Sequence, residues 1–332
     1  MDKSSPRQRF LDCLNFKQPA DSYPLIEWAA WWDQTYNRFL AEGLPQGMSF
    51  DESQTYFGLD VMNVLYVQGR GPKTPWNPTH GGGIITDEAS YDAIRDTLYS
   101  QEALDSMINN AIALKERHDR GELVIRLWLD GFFWYPRTLF GIEEHLYAFY
   151  DQPELMHRMN ADLTEYYIEA VERLLPILKP ELVGFAEDMS YNLGPMLSEE
   201  MFDEFLLPYY LKLLPIFKEN GVKVFIDSDG DITSMIPWFE RAGIEGVYPL
   251  ERQAGVDLVQ IRKDYPKFLM MGGYDKMVMN QGEEAIENEF RRLEPVIKSG
   301  GYICSVDHQT PPGVSLEDYR IFIHHFKKYS KI

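Results

Sequence analysis

Short β-rich runs alternate with longer amphipathic stretches along nearly the whole chain, and this alternation restricts the fold more than any other feature. The runs are YPLIEW (23–28), MNVLYV (62–67), LVIRLWLD (123–130), ELVGFAED (181–188), VKVFIDSD (222–229), EGVYPLE (245–251), KFLMMGG (267–273) and GGYICSVD (300–307). Helix-like stretches precede most of them and end on glycine, as in LKLLPIFKENG at Gly221 and IPWFERAG at Gly243, where a left-handed residue stops a helix. A repeating strand–helix unit makes the strands parallel, and eight units closing on themselves give a (β/α)8 TIM barrel. An open doubly wound sheet is the alternative, disfavoured by the count of eight. The expected organisation is one domain over residues 1–332. Its N-terminal helical extension (1–20), opened by Ser5-Pro6 and carrying Phe10, Leu11 and Leu14, caps the barrel. Residues 68–90, rich in Gly and Pro, are expected to form a loop or hairpin excursion.

Composition restricts the partners. The formal charge of −20 repels nucleic acid and anionic membrane surfaces, and no run approaches the ~18 apolar residues of a membrane span. The opening MDKSSPRQRFLDCLNF lacks the apolar core of a signal peptide, so the cytoplasm is the expected compartment. Cys13 and Cys304 stand far apart and form no CxxC, which indicates neither a thiolate zinc site nor a disulfide framework.

The stretch FIDSDGD (225–231) sets three aspartates at alternate positions. In an extended chain Asp227, Asp229 and Asp231 point to one side, where their carboxyls raise one another's pKa unless a cation or proton separates them. A calcium loop counted from Asp227 would need Gly at position six and Glu at twelve, but Ile232 and Trp238 stand there. An aspartyl nucleophile resembling that of the haloacid-dehalogenase phosphatases is a second reading, without the paired acids expected downstream. The third is an acid-base or metal site at a barrel mouth. Glu27, Asp130, Glu187, Asp188, Glu251, Asp307 and His308 also end strand-like runs, and the C-terminal strand ends of a barrel share one mouth. Against this, Asp188, Asp231 and Asp275 equally suit helix caps.

Aromatic runs EWAAWWDQTY (27–36) and LWLDGFFWYPRTLFG (127–141) follow the first and third expected strands. They bring Trp31, Trp32, Phe132, Phe133, Trp134 and Tyr135 toward the same mouth, as an apolar ligand pocket requires.

Taken together, PRQRFLDCLNF, GFAEDMSYNLGPMLS with the following FLLPYY, GVKVFIDSDGD, AGIEGVYPLERQAGVDL, FLMMGGYDK and GGYICSVDHQTPPGVSLEDY make the chain resemble the uroporphyrinogen decarboxylase superfamily, and more closely its corrinoid-dependent methyltransferase branch. The resemblance implies the same barrel. The arginine-rich opening with which the decarboxylases hold porphyrinogen carboxylates is replaced here by PLIEWAAWWDQTYNR, which ranks decarboxylation low. The branch's zinc site on a His-x-Cys strand with a later Cys falls on Asp227 and Asp229, with the late position near His308. Hard oxygen ligands and one imidazole thus replace thiolates. Two readings stay open there: zinc or another divalent metal held by Asp227, Asp229, His308 and Glu187, or a metal-free protonated acid. The implied reaction moves a methyl group from a small, possibly aromatic, ether or amine to cobalamin carried by a separate corrinoid protein. Asp227, Asp229 and His308 would be catalytic, and Glu27, Trp31, Trp32, Phe133, Trp134 and Tyr191 would bind the donor. A homodimer is compatible with the sequence, and a barrel that has kept only binding is the non-enzymatic alternative.

Overall fold

The computed structural model describes residues 4–332. Seven parallel strands form one curled sheet: β1 (Val61–Val67), β2 (Leu123–Asp130), β3 (Leu182–Ala186), β6 (Lys223–Ser228), β7 (Gly246–Pro249), β8 (Leu269–Tyr274) and β9 (Tyr302–Val306), in that spatial order. A short antiparallel ribbon, β4 (Ser190–Tyr191) with β5 (Gly194–Pro195), branches off after β3. The strands are almost wholly buried, which explains their near-continuous apolar character: helices cover one side and side chains fill the other. The buried apolar core runs unbroken in sequence from Phe10 to Tyr329.

The TIM-barrel expectation holds, with one correction. The first expected strand, 23–28, makes no regular ladder. Pro24 has no N–H to give, and side chains take over the missing rungs. Gln54, on the helix Phe50–Phe57, donates to the Glu27 carbonyl (3.1 Å) and accepts from the Met62 N–H (3.2 Å). Asp60 Oδ2 accepts from the Leu25 N–H (3.0 Å), and its own N–H donates to the Leu25 carbonyl (2.7 Å). On the other flank Ser305 Oγ of β9 accepts from the Trp28 N–H (3.2 Å). The segment therefore spans the gap between the edge strands β1 and β9, and the barrel closes through amide and carboxyl side chains.

Residues 1–3 of the N-terminal helical extension expected over residues 1–20 lie outside the described residues; the structure forms the helix Pro6–Leu14, capped by Ser5 with Pro6 at its first turn. It lies at the N-terminal ends of the strands: Gly121 O, just before β2, accepts from Arg7 N, and Cys13 O accepts from Gly301 N just before β9. Residues 68–90 are mostly irregular until the helix Glu88–Ile94, tied down by the Gly82 to Gly141 bridge. Among the described residues no helix is long and apolar enough to cross a membrane.

Candidate active site

The three aspartates of FIDSDGD do three different things, because the strand ends at Ser228 and Gly230 turns the chain at φ 82°. A Cβ on Gly230 would lie 2.5 Å from the Tyr191 Cα, so only glycine lets this turn pack against the ribbon. Asp231 accepts from the Thr233 N–H (3.0 Å) within the turn that follows, whereas Asp275 caps the short helix Lys276–Val278 through the Met277 N–H (2.8 Å). Asp229 stays at the mouth, with Oδ2 3.9 Å from His308 Nε2. Asp227, paired between Ala186 of β3 and Tyr248 of β7, lies deeper, within the electrostatic reach of Arg126 and Trp128 of β2.

Burial sets the charge state of these groups. It pushes Asp227 up to about 7, with Asp229 and Asp188 adding repulsion and the Arg126 charge and Trp128 opposing. Asp229, whose side chain is 43% exposed, is raised to about 7 by partial burial and by the neighbouring Glu251 and Asp188, partly offset by Lys276. His308 is held below its ordinary value by burial and by Lys276, which favours neutral imidazole. Lys276 is already committed, with Nζ 3.3 Å from Glu251 and 3.4 Å from Asp307. Asp307 accepts from the Arg252 N–H (3.1 Å), Glu251 from the Gly230 N–H (3.1 Å), and Asp130 from the Gly69 N–H (2.9 Å). Arg137 binds both the carbonyl (3.1 Å) and carboxylate (3.2 Å) of Asp188, whose backbone sits in the left-handed region at φ 41°. Among the described residues, Asp229 and His308 make no side-chain hydrogen bond within 3.5 Å at the mouth, and Asp227 has only the longer-range influence of the Trp128 donor.

Glu187 does not join them. Its oxygens accept from three consecutive N–H groups, Phe132 (2.8 Å), Phe133 (2.7 Å) and Trp134 (3.0 Å), and from the Tyr210 hydroxyl. Gly131 permits this wrap, since a Cβ there would meet the carboxyl carbon at 2.0 Å. The carboxylate organises the turn into the helix Trp134–Phe140, and its lone pairs are spent. Among the described residues no three His, Cys, Asp or Glu side chains are gathered as a metal-ligand set. The expected grouping of Glu187, Asp227, Asp229 and His308 around zinc or another divalent ion is therefore not formed: Glu187 is occupied and Asp227 faces a guanidinium.

The aromatic expectations need similar correction. Trp31 is 9% exposed and packs on Phe39, Phe57 and Tyr319, as part of the helical core. Phe133 is buried against His145 and Phe149. Trp32 is 46% exposed at the start of the helix Asp33–Ala41. Glu27, 3% exposed, accepts from Ser305 Oγ and Tyr319 OH, both at 3.1 Å, and burial raises it to about 8; it pins segment 23–28 to β9 and the C-terminal helix Leu316–Ser330. Trp134 and Tyr191 do reach open space. Trp134 lies under the Arg137 guanidinium and, with Tyr66, Trp76 and Asp130, lines a cleft of about 720 Å³ beside the mouth; Tyr191 is 48% exposed on the ribbon.

The aromatic group actually built into the site is Trp28, which sequence reasoning passed over for the nearby Trp31-Trp32 pair. Its indole donates to the Val306 carbonyl (2.8 Å), and its ring lies 5.1 Å from Tyr248 and 6.1 Å from His308. Arg126 was also missed. A charged residue inside the apolar run LVIRLWLD was the available signal, since a buried strand keeps a charge only where something compensates it.

Residues 137–329, more than half of the chain, match the family model described as uroporphyrinogen decarboxylase (URO-D). The chain belongs to the uroporphyrinogen decarboxylase family. That matched region contains Glu187, Asp227, Asp229 and His308, so this family member carries its candidate acids within the part that defines membership. No curated protein sequence matches the chain. A solved methyltransferase from Methanosarcina mazei superposes with TM-score 0.70 over 98% of this chain and 99% of its own, at 12% identity, which establishes a shared fold. A putative vitamin-B12 independent methionine synthase from Listeria monocytogenes, TM-score 0.45 and 13% identity over 93% of this chain and 97% of its own, is too distant to bear on chemistry.

Proposed function

We propose that this uroporphyrinogen decarboxylase family member is a methyltransferase that takes a methyl group from a small ether or amine and delivers it to a corrinoid carried by a separate protein. The observation that carries the reading is the pair of strand-end acids, Asp227 and Asp229, held near neutrality beside the uncharged His308 and the aromatic wall of Trp28 and Tyr248. The corrinoid supplies the nucleophilic acceptor for the methyl group when its protein docks over the mouth. The residues of this chain bind the donor, exclude water and place a proton where the methyl group departs. An alkoxide or phenolate is a poor leaving group, and an acid half-protonated near pH 7 is matched to that task. The Asp229 charge adds to burial in raising Asp227, which helps Asp227 keep its proton near neutrality. The spent Glu187 and the dispersed ligands speak against the metal variant, so the proton is assigned to the aspartates.

Porphyrinogen decarboxylation fits less well. A substrate with many carboxylates needs many free cations, yet Lys276 is engaged by Glu251 and Asp307, and Arg137 by Asp188. The resemblance to the M. mazei methyltransferase extends over the full chain and agrees with the proposal at the level of fold. The test is the absorbance of reduced cobalamin, free or protein-bound, mixed with this protein and a panel of methyl ethers and methylamines. Methylation dependent on the protein is expected; its absence across the panel would overturn the proposal.

A further inference from the structure

Arg126 sits in the middle of β2 with its side chain inside the barrel, a location where a cation is costly unless it is paired. It is 6% exposed, and its Nε and Nη1 find no hydrogen-bond partner. Among the described residues it makes no ion pair within 4.0 Å. The rings of Trp28 and Tyr248 lie 5.5 Å and 5.2 Å from the guanidinium carbon and offer it their π faces rather than hydrogen-bond acceptors. The Tyr248 hydroxyl beside it makes no hydrogen bond within 3.5 Å and feels the Arg126 donors only at longer range. Gly184 of β3 is what makes room there, because a Cβ at that position would lie 2.1 Å from the Tyr248 oxygen. Asp227, near the C-terminal end of β6 and level with Asp130, lies nearer the mouth than Arg126 and acts on it through its field.

A forked cation with idle donors, a phenol with an idle proton and an acid able to switch off its own charge together describe a receptor for a planar anion. We infer that Arg126, with the Tyr248 hydroxyl, binds a carboxylate of the methyl donor, so that the donor enters the barrel acid end first and leaves its methyl group at the level of Asp229 and His308. The inference rests on the methyl-transfer reading for the identity of the ligand and adds its chemical class: a carboxylic acid that also bears a methylated heteroatom. Guanidinium and carboxylate match two donors to two acceptors in one plane, a match an ammonium does not reproduce. Protonated Asp227 permits the pair, whereas ionised Asp227 would compete with the ligand for the same cation.

Benzoate, followed by quenching of intrinsic tryptophan fluorescence and by calorimetry on the full chain, tests this without any methyl transfer. Benzamide, its uncharged counterpart, is the control. Benzoate is expected to bind the wild-type protein at least ~10-fold more tightly than benzamide. Its affinity is expected to fall at least ~10-fold in Arg126→Met, to recover in part in Arg126→Lys, and to weaken as pH rises through about 7, where Asp227 ionises. Equal affinity of the wild-type protein for benzoate and benzamide would overturn the inference, as would undiminished benzoate binding by folded Arg126→Met. The wild-type comparison decides the matter even if the Met variant fails to fold. Binding through Arg126 without methylation of cobalamin would sink the methyl-transfer reading alone. Methylation from uncharged ethers with no preference for carboxylated ones would sink only the present inference.

Discussion

Replacing Asp227 by Asn separates its chemical role from its cost to the fold. The carboxyl rises from an ordinary aspartate value of 3.8 to about 7 in the folded protein, with burial as the largest cause. A raised acid is protonated more readily when folded than when unfolded. Its penalty is therefore absent below the unfolded pKa, grows as pH rises between the two values, and is complete above the folded one. At pH 8 the difference of about 3 pH units corresponds to about 4 kcal/mol at most. At pH 5, where the folded group keeps its proton, the penalty is only about 2 kcal/mol. Asp227→Asn removes this penalty. For a chain of this size the unfolding entropy converts 4 kcal/mol into a Tm rise of about 6 °C at pH 8, shrinking to about 3 °C at pH 5. Over the same range methyl transfer should drop by ~10²-fold or more, because Asn cannot donate the proton. Calorimetric scans at the two pH values, paired with the cobalamin assay, measure both quantities. A variant that is less stable than wild type at pH 8 would refute the electrostatic account, and one that is fully active would remove Asp227 from the chemistry.

Further outcomes follow from the same contacts. Glu187→Gln, which puts an amide NH2 in place of one of the two oxygens that accept from three N–H groups, should destabilise the protein by at least ~2 kcal/mol, visible in urea unfolding. Gly131→Ala should do comparable harm through the collision of its Cβ with the same carboxyl; wild-type stability would show that the wrap around Glu187 does not matter. The rate of methyl transfer at saturating donor should fall as pH rises through about 7, since the raised Asp227 and Asp229 lose the transferable proton there; a flat profile from pH 6 to 8 would exclude them as the acid. Trp28→Phe, which loses the bond to the Val306 carbonyl and part of the aromatic contact with Arg126, should weaken donor binding, while Trp32→Phe should leave it unchanged; equal effects would return the Trp31-Trp32 pair to the site.

The sequence by itself determined the parallel barrel, the helix over residues 6–14 and the placement of Asp229 and His308 at one mouth. Strand–helix alternation and glycine stops are local signals, and a barrel gathers every strand terminus at one end. It contained the cap at Asp275, though not the reason the three aspartates of FIDSDGD part, which is the turn of Gly230 against Tyr191. Only the tertiary structure decided which of the reactive residues are free. Glu187 and Glu27 read as site acids in a list of strand ends, but folding delivers three backbone N–H groups to one and two hydroxyls to the other. Trp31 and Trp28 are three positions apart in an irregular segment without periodicity, so nothing local says which faces the helical core and which the barrel. Closure of the sheet through Gln54, Asp60 and Ser305 was hidden for the same reason: it depends on side chains brought from the following helix, its connection to β1, and the last strand. Arg126 was visible as an anomaly in an apolar strand. Its lack of a partner is a property of the assembled barrel, because pairing is settled by residues distant in sequence that either arrive beside a charge or leave it exposed to a ligand.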